Sequence, residues 1–237
     1  MRSGPLLAAV LVKISIVIPV VNESDLIARS VARAWSAGAD QVIVVDGGST
    51  DGTLAQLANL DCELVHSPAG RAIQMNNGAE GSTGDVLVFL HADNWLEVDS
   101  CSQIRTGLVD SEFEFGAFRQ RINHDRILFR WVEFGNELRV RWQGLIYGDQ
   151  AFFITRKRFD LVGGFPQIDL MEDFQLSRTL RMFGKPLLLD GPTIVSARRW
   201  LAGGLVRQTI RNWMMCGAYR LGVSPRRLSQ RYRRHDQ

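Results

Sequence analysis

The strongest constraint on this chain is a rhythm in its N-terminal part, where short β-branched apolar runs alternate with stretches of helical periodicity. Runs at 14–20, 41–45, 63–66 and 86–91 read as strands, because Val and Ile pack well on a pleated sheet. Between the first two, segment 24–37 repeats Leu26, Ile27, Val31 and Trp35 at helical intervals and stops at Gly38, a residue suited to ending a helix. Segments 50–60 and 71–78 are the second and third predicted helices. Strand and helix in alternation predict a mainly parallel sheet with crossover helices, an α/β architecture that begins as a Rossmann-like half.

Beyond residue 110 the pattern loosens. Segment 112–122 reads as a strand rich in phenylalanine whose spacing breaks strict alternation, which predicts a bulge or a sheet edge. Segment 126–142 carries Ile127, Trp131, Phe134, Leu138 and Trp142 at helical intervals, and this stripe is expected to face the core. Segment 151–155 reads as a strand, 172–183 as a helix, 186–189 and 193–196 as two short strands, and 205–221 as an amphipathic helix.

The tail concentrates Arg207, Arg211, Arg220, Arg226, Arg227, Arg231, Arg233 and Arg234 against Asp236 alone, although the whole chain carries a net charge of only +3. Such a patch attracts phosphate-rich ligands, anionic lipid headgroups or nucleic acid, and a solvated helix face has the same composition. Trp213, Met214, Met215 and Tyr219 among these arginines raise peripheral membrane contact, with packing onto the domain as the equal alternative. The apolar run 6–12 is expected to lead into the first strand rather than to form a cleavable leader. Cys62, Cys101 and Cys216 are odd in number, far apart and without CxxC spacing, so neither a disulfide framework nor a zinc site is expected. A reducing, cytoplasmic setting follows, with membrane association left open.

In open α/β sheets ligands gather outside the carboxyl ends of the strands, so polar residues just after strands are the first candidates. Four places qualify: Pro19 to Glu23, Asp46 to Gly52, His91 to Asn94, and Glu172-Asp173. Asp46 directly follows a strand, where a carboxylate can hold a ribose or base. Asp51 reads better as a cap of the turn and the following helix. Gly148, Asp149 and Gln150 precede a strand as either a turn or an acceptor-side contact.

The blocks ISIVIPVVNES, VIVVDGGSTDGT, GRAIQMNNGAEGSTGDVLVFLHADN and MEDFQLSRTLRMFGK, in this order, resemble the signature set of glycosyltransferase family 2. YGDQAFFITRKRFDLVGGFPQIDLMED and SARRW further resemble a radical-SAM/selenodomain-associated subgroup often labelled arsenosugar-biosynthesis transferases. The resemblance implies a single GT-A domain over 1–237, with a nucleotide-binding half at 14–94, an acceptor half at 95–200 and a basic helical tail at 201–237. It implies a UDP- or GDP-sugar donor and an acceptor hydroxyl as partners, with no nucleic acid, and an inverting transfer.

Carried over position by position, Pro19, Asn22 and Glu23 match the block lining the nucleoside pocket, and Asp46 the uracil or ribose contact. Arg71 matches a basic residue beside the nucleotide, and Asn76 the NxG that follows it. Asp93 matches the DxD-type motif that holds Mn²⁺ or Mg²⁺. His91 stands where the first acid is usual, and an imidazole ligand would favour Mn²⁺. Asp173 matches the general base, with Glu172 in support. Arg198 and Arg199 match the RW end of a QxxRW block whose Gln is missing, which speaks against processive synthesis. Two other readings stay open: a nucleotidyltransferase of similar fold, and a sugar-nucleotide-binding module without catalysis.

Overall fold

The computed structural model describes residues 12–109 and 113–233. The run at 6–12 and the start of the strand predicted at 112 thus lie largely outside the described residues. β1 (Ile14–Val20), α1 (Ile27–Ser36), β2 (Gln41–Asp46), α2 (Thr53–Leu57), β3 (Glu63–His66), α3 (Arg71–Glu80) and β4 (Val86–Phe89) follow one another as the alternation predicts. The second half adds β5 (Asn94–Leu96), α4 (Ser100–Val109), β6 (Phe115–Ile122), α5 (Ile127–Leu138), β7 (Phe152–Thr155), α6 (Arg156–Val162) and α7 (Glu172–Leu180). It closes with β8 (Leu187–Val195), α8 (Arg198–Gly203), α9 (Leu205–Arg220) and α10 (Pro225–Arg233).

The eight strands of the described residues form one sheet in the order β3-β2-β1-β4-β7-β6-β8-β5. β3, β2, β1 and β4 are mutually parallel, β6 and β8 are parallel, and β7 and β5 run antiparallel to their neighbours. The expected α/β class with a mixed, mainly parallel sheet is the one found. Chain order reverses at β1, which lies between β2 and β4, so a crevice opens beyond the carboxyl ends of β1 and β4. Core packs on both sheet faces: Ile16, Ile18, Val42, Val44 and Val88 against α1 on one, and Val17, Ile43, Val45, Leu87 and Phe89 against α3 on the other. Burial on both faces is why β1, β2 and β4 are continuous apolar runs.

Gly78 lets α3 lie close on the sheet, since a Cβ there would fall 2.3 Å from Val17 Cγ1 and 2.8 Å from Val45 Cγ2. That close approach carries the start of α3, and Arg71 with it, to the carboxyl edge of the sheet.

Two expectations are corrected. The segments predicted as separate strands at 186–189 and 193–196 are one strand, β8, whose pairing with β6 shifts register between Phe118 and Gln120. The irregularity expected of β6 is therefore a bulge, and β6 lies inside the sheet. The aromatic stripe of 126–142 does not face the core: Ile127, Trp131, Phe134, Leu138 and Trp142 are exposed, Trp142 at 84%. α5 is instead anchored by Phe129, which packs with Ile122, Val195, Ala197 and Trp200. Helical periodicity locates an apolar face without saying what covers it.

Candidate active site

Three chain segments converge beyond the sheet's carboxyl edge. The first is the loop after β4, held by backbone bonds: Leu90 N–H donates to Val17 O (3.0 Å), Asn94 N–H to His91 O (3.0 Å) and Ser196 N–H to Asp93 O (3.3 Å). Ser30 Oγ donates to Ala92 O at 2.6 Å, tying the same loop to α1. His91 and Asp93 are thus presented from a fixed backbone.

The second segment is the single 3₁₀ turn Gly148–Gln150 that enters β7. Gln150 is fully buried, and its Oε1 accepts from Arg139 Nη2 (2.5 Å) and Tyr147 N–H (3.3 Å). Gln120 Nε2 donates to Asp149 Oδ2 at 2.6 Å while its Oε1 accepts from Asn136 Nδ2 at 2.5 Å, so β6 and α5 both brace the turn. A side chain at Gly148 would push His91 aside, because a Cβ would stand 2.6 Å from His91 Nε2 and 3.3 Å from Asp173 Oδ2.

The third segment is the start of α7, where Met171 takes a left-handed conformation (φ 70°) and turns the chain into the helix. Asp173 Oδ2 accepts from Gly148 N–H (2.5 Å) and Oδ1 from Phe174 N–H (2.6 Å). Glu172 is buried and meets Arg71 Nη1 at 3.5 Å across the site. Carboxylates in the first turn of α7 also suit the positive end of its dipole.

Together these segments wall a cavity of about 170 Å³ whose lining includes Arg71, His91, Asp93, Gly148, Asp149 and Asp173. The two carboxylates on which the sequence reading turns, Asp93 and Asp173, therefore face one space. Burial raises the carboxyl of Asp149; Arg139 and the Gln120 bond oppose the rise, and the neighbouring Asp173 and Asp93 add to it. Burial likewise raises Glu172, with Arg71 opposing and Asp173 adding.

Because Glu172's folded value lies above its ordinary 4.5, the folded chain holds its proton more tightly. The stability this contributes is complete below about pH 4.5 and is lost as pH rises through the raised folded value. Glu172→Gln, which cannot ionise, is expected to flatten the fall in Tm as pH rises above about 4.5, as read by calorimetry. An unchanged slope would contradict the assignment.

Other candidates make bonds within the local fold. Asp46 is buried, and its carboxylate accepts from Gly48 N–H (2.9 Å) and Ser49 N–H (3.1 Å), closing its own turn. Asn22 Oδ1 accepts from Thr50 N–H (2.8 Å) and Asn22 N–H donates to Ser49 Oγ (2.9 Å), joining the ends of β1 and β2. Pro19 lies within β1, and Glu23 N–H donates to Thr53 Oγ1 at 2.9 Å. Asp51 behaves as the cap expected of it: its bonds to Thr53 hold its carboxyl at about 2. Asn76 clamps Phe165 through both amide ends, at 2.8 and 2.9 Å. None of Pro19, Asn22, Glu23, Asp46 and Asn76 lines the cavity that holds Asp93 and Asp173. Arg198 is exposed at the start of α8, and Arg199 shares that turn.

Sequence reasoning missed Tyr147, which lines the cavity with Arg139 stacked 3.4 Å over its ring, and burial pushes its hydroxyl up. It also missed Gln208, Asn212, Met215 and Cys216 of α9. The only available signal was that α9 carries polar residues on the side opposite its large apolar ones. Cys62, Cys101 and Cys216 are free thiols.

Among the described residues no group of three or more His, Cys, Asp or Glu side chains is arranged to hold a metal ion. What the cavity does offer is a carboxylate and an imidazole two residues apart on one loop, Asp93 and His91, a donor pair that suits Mn²⁺ when the remaining ligands come from a diphosphate and water.

Residues 15–168 match the family model described as Glycosyl transferase family 2. The chain is 28% identical over 191 residues to a PGL/p-HBAD biosynthesis glycosyltransferase of Mycobacterium tuberculosis, covering 74% of this chain and 71% of that protein. It is 31% identical over 121 residues to the glycosyltransferase AglE of Haloferax volcanii, covering 43% and 40%. Among solved structures, S. aureus TarS 1-349 in complex with UDP-GlcNAc superposes with a TM-score of 0.64 at 14% identity, over 78% of this chain and 58% of that one. Glucosyl-3-phosphoglycerate synthase from M. tuberculosis, in complex with Mn²⁺, UDP and glucosyl-3-phosphoglycerate, superposes with a TM-score of 0.61 at 18% identity, over 90% and 85%. These two likenesses speak for the fold.

Proposed function

The chain belongs to glycosyltransferase family 2, and from that premise we propose that it moves a sugar from a nucleotide-diphosphate sugar to an acceptor hydroxyl with inversion. The observation that carries this reading is the shared cavity of Asp93 and Asp173. UDP is favoured as the nucleotide because both structural neighbours were solved with it.

In this reading Asp173 takes the acceptor hydroxyl proton as its oxygen attacks the anomeric carbon. The bond from that carbon to the diphosphate oxygen breaks, and the nucleoside diphosphate leaves. The two N–H bonds from Gly148 and Phe174 fix the orientation of the Asp173 carboxylate without filling its lone pairs. Asp93 and His91 would hold a divalent ion, Mn²⁺ or Mg²⁺, whose chemistry is to stabilise charge on the departing diphosphate. Arg71, held in place by Glu172, offers a forked cation to the same phosphates.

Pro19, Asn22, Glu23 and Asp46 gather at the carboxyl edge of β1 and β2, a position that supports a nucleoside site beside the cavity. Asn76 acts there by setting the loop before α7, and Gly148, Asp149 and Gln150 face the acceptor side. The narrower kinship with the radical-SAM-associated subgroup rests on its two sequence blocks alone, and no relative reported above carries that description.

A thermal-shift series with UDP, GDP and their sugars, with and without Mn²⁺, tests the donor assignment. Selective binding at a hundredfold excess over Kd stabilises by about 2.7 kcal/mol, so a UDP-sugar should raise Tm by several degrees and more with the metal. A chain indifferent to every nucleotide would overturn the reading.

A further inference from the structure

α9 is amphipathic in the inverse of the usual sense. Gln208 and Thr209 are buried, while Val206, Ile210, Trp213, Met214 and Leu221 stand in solvent. Val206, Ile210, Trp213 and Met214 are spaced so as to form one stripe along the helix. α5 does the same with Ile127, Trp131, Phe134 and Leu138, continued by Trp142 on the turn Arg139–Gln143. A helix in a water-soluble fold normally buries such a stripe.

Between these two helices lies a second cavity of about 330 Å³, walled by Gly135, Asn136 and Arg139 on one side and by Asn212, Trp213 and Gly217 on the other. It shares Tyr147, Asp149, Trp200, Asn212 and Cys216 with the cavity of Asp93 and Asp173, so the two adjoin across these side chains. The space beside the reacting centre thus lies between the two helices that display apolar stripes.

Charge decides what covers those stripes. From Leu205 to Arg233 the sequence holds Arg207, Arg211, Arg220, Arg226, Arg227, Arg231 and Arg233 and no Asp or Glu. Arg207, Arg220, Arg226, Arg227 and Arg231 are exposed. A second copy related by a two-fold axis would set this arginine rim near its own counterpart and repel. An anionic bilayer instead accepts Trp, Ile and Met at its headgroup boundary and pairs with guanidinium groups around them. No described helix is long and apolar enough to cross a membrane.

We propose that the outward stripes of α5 and α9 seat this protein on an anionic membrane surface, and that the cavity between them admits the headgroup hydroxyl of an amphiphilic acceptor whose chain stays in the bilayer. The second half of this statement rests on the transferase reading; the first does not.

The test is flotation of the full chain with vesicles of phosphatidylcholine alone and of phosphatidylcholine with about a third phosphatidylglycerol, at low and high salt. The comparison is Trp131→Ser/Ile210→Ser/Met214→Ser, whose positions lie outside both cavity linings. Wild type is expected to float with the anionic vesicles, less at high salt, and the triple variant to bind about tenfold or more weakly. Its UDP-induced thermal shift should equal that of wild type, which shows that it folds. No flotation of wild type, or equal flotation of the variant, overturns the proposal. So does light scattering that finds a wild-type dimer dissociated by the same three changes, because a second copy then covers the stripes. Vesicle binding in a chain that binds no nucleotide would leave the membrane seat standing and remove the transferase reading instead.

Discussion

Asp173→Asn is expected to lower the rate of sugar transfer by about 10²–10⁴ while leaving donor affinity close to wild type. The asparagine oxygen can still accept from Gly148 or Phe174, whose N–H groups bond the two Asp173 oxygens at 2.5 and 2.6 Å, so most of the local frame survives. What is lost is the capacity to take a proton from an acceptor hydroxyl, an interaction made only as the new bond forms. Transfer therefore falls in kcat with little change in KM for the donor. Steady-state kinetics with a fixed acceptor read this directly, and the UDP thermal shift provides the folding control. Retention of more than about a tenth of wild-type kcat would remove Asp173 from the general-base role.

Asp93→Ala is expected to act on the other substrate, lowering kcat/KM for the donor by about 10²–10³ and abolishing the part of the UDP thermal shift that depends on Mn²⁺. The physical reason is that the departing diphosphate gains charge, and in the proposed mechanism Asp93, on the loop after β4, would hold the ion that stabilises it. His91→Ala should cost less, since an imidazole is the weaker half of the donor pair for a hard ion. Equal metal-dependent shifts in wild type and Asp93→Ala would place the ion elsewhere. The two substitutions thus fail in different observables, one in turnover and one in donor and metal binding.

What the sequence alone determined is what depends on neighbours along the chain. The crossover half from β1 to β4 was legible because its strands and helices announce themselves by period and by the turns that end them. The class of sheet followed from the same alternation. Asp93 and Asp173 were legible as candidates because each closes a local pattern at a strand end or a helix start. The capping bonds of Asp51 to Thr53 and Ser24 belong to the same kind of short-range order.

Only the tertiary structure decided which of these residues share a space. Asp93 and Asp173 meet because β7 and the Gly148–Gln150 turn bring the later loops back to the edge of β4, a contact between segments far apart in sequence. The same holds for Tyr147, which no local pattern marks, and for Asn76, whose amide bonds Phe165 across 89 residues. The clearest case is the stripe from Ile127 to Trp142. Its period predicted a helix with one apolar face, and that much is a property of the backbone. Whether the face meets a core, a bilayer or water depends on what other elements leave uncovered, which is set by the packing of the whole chain.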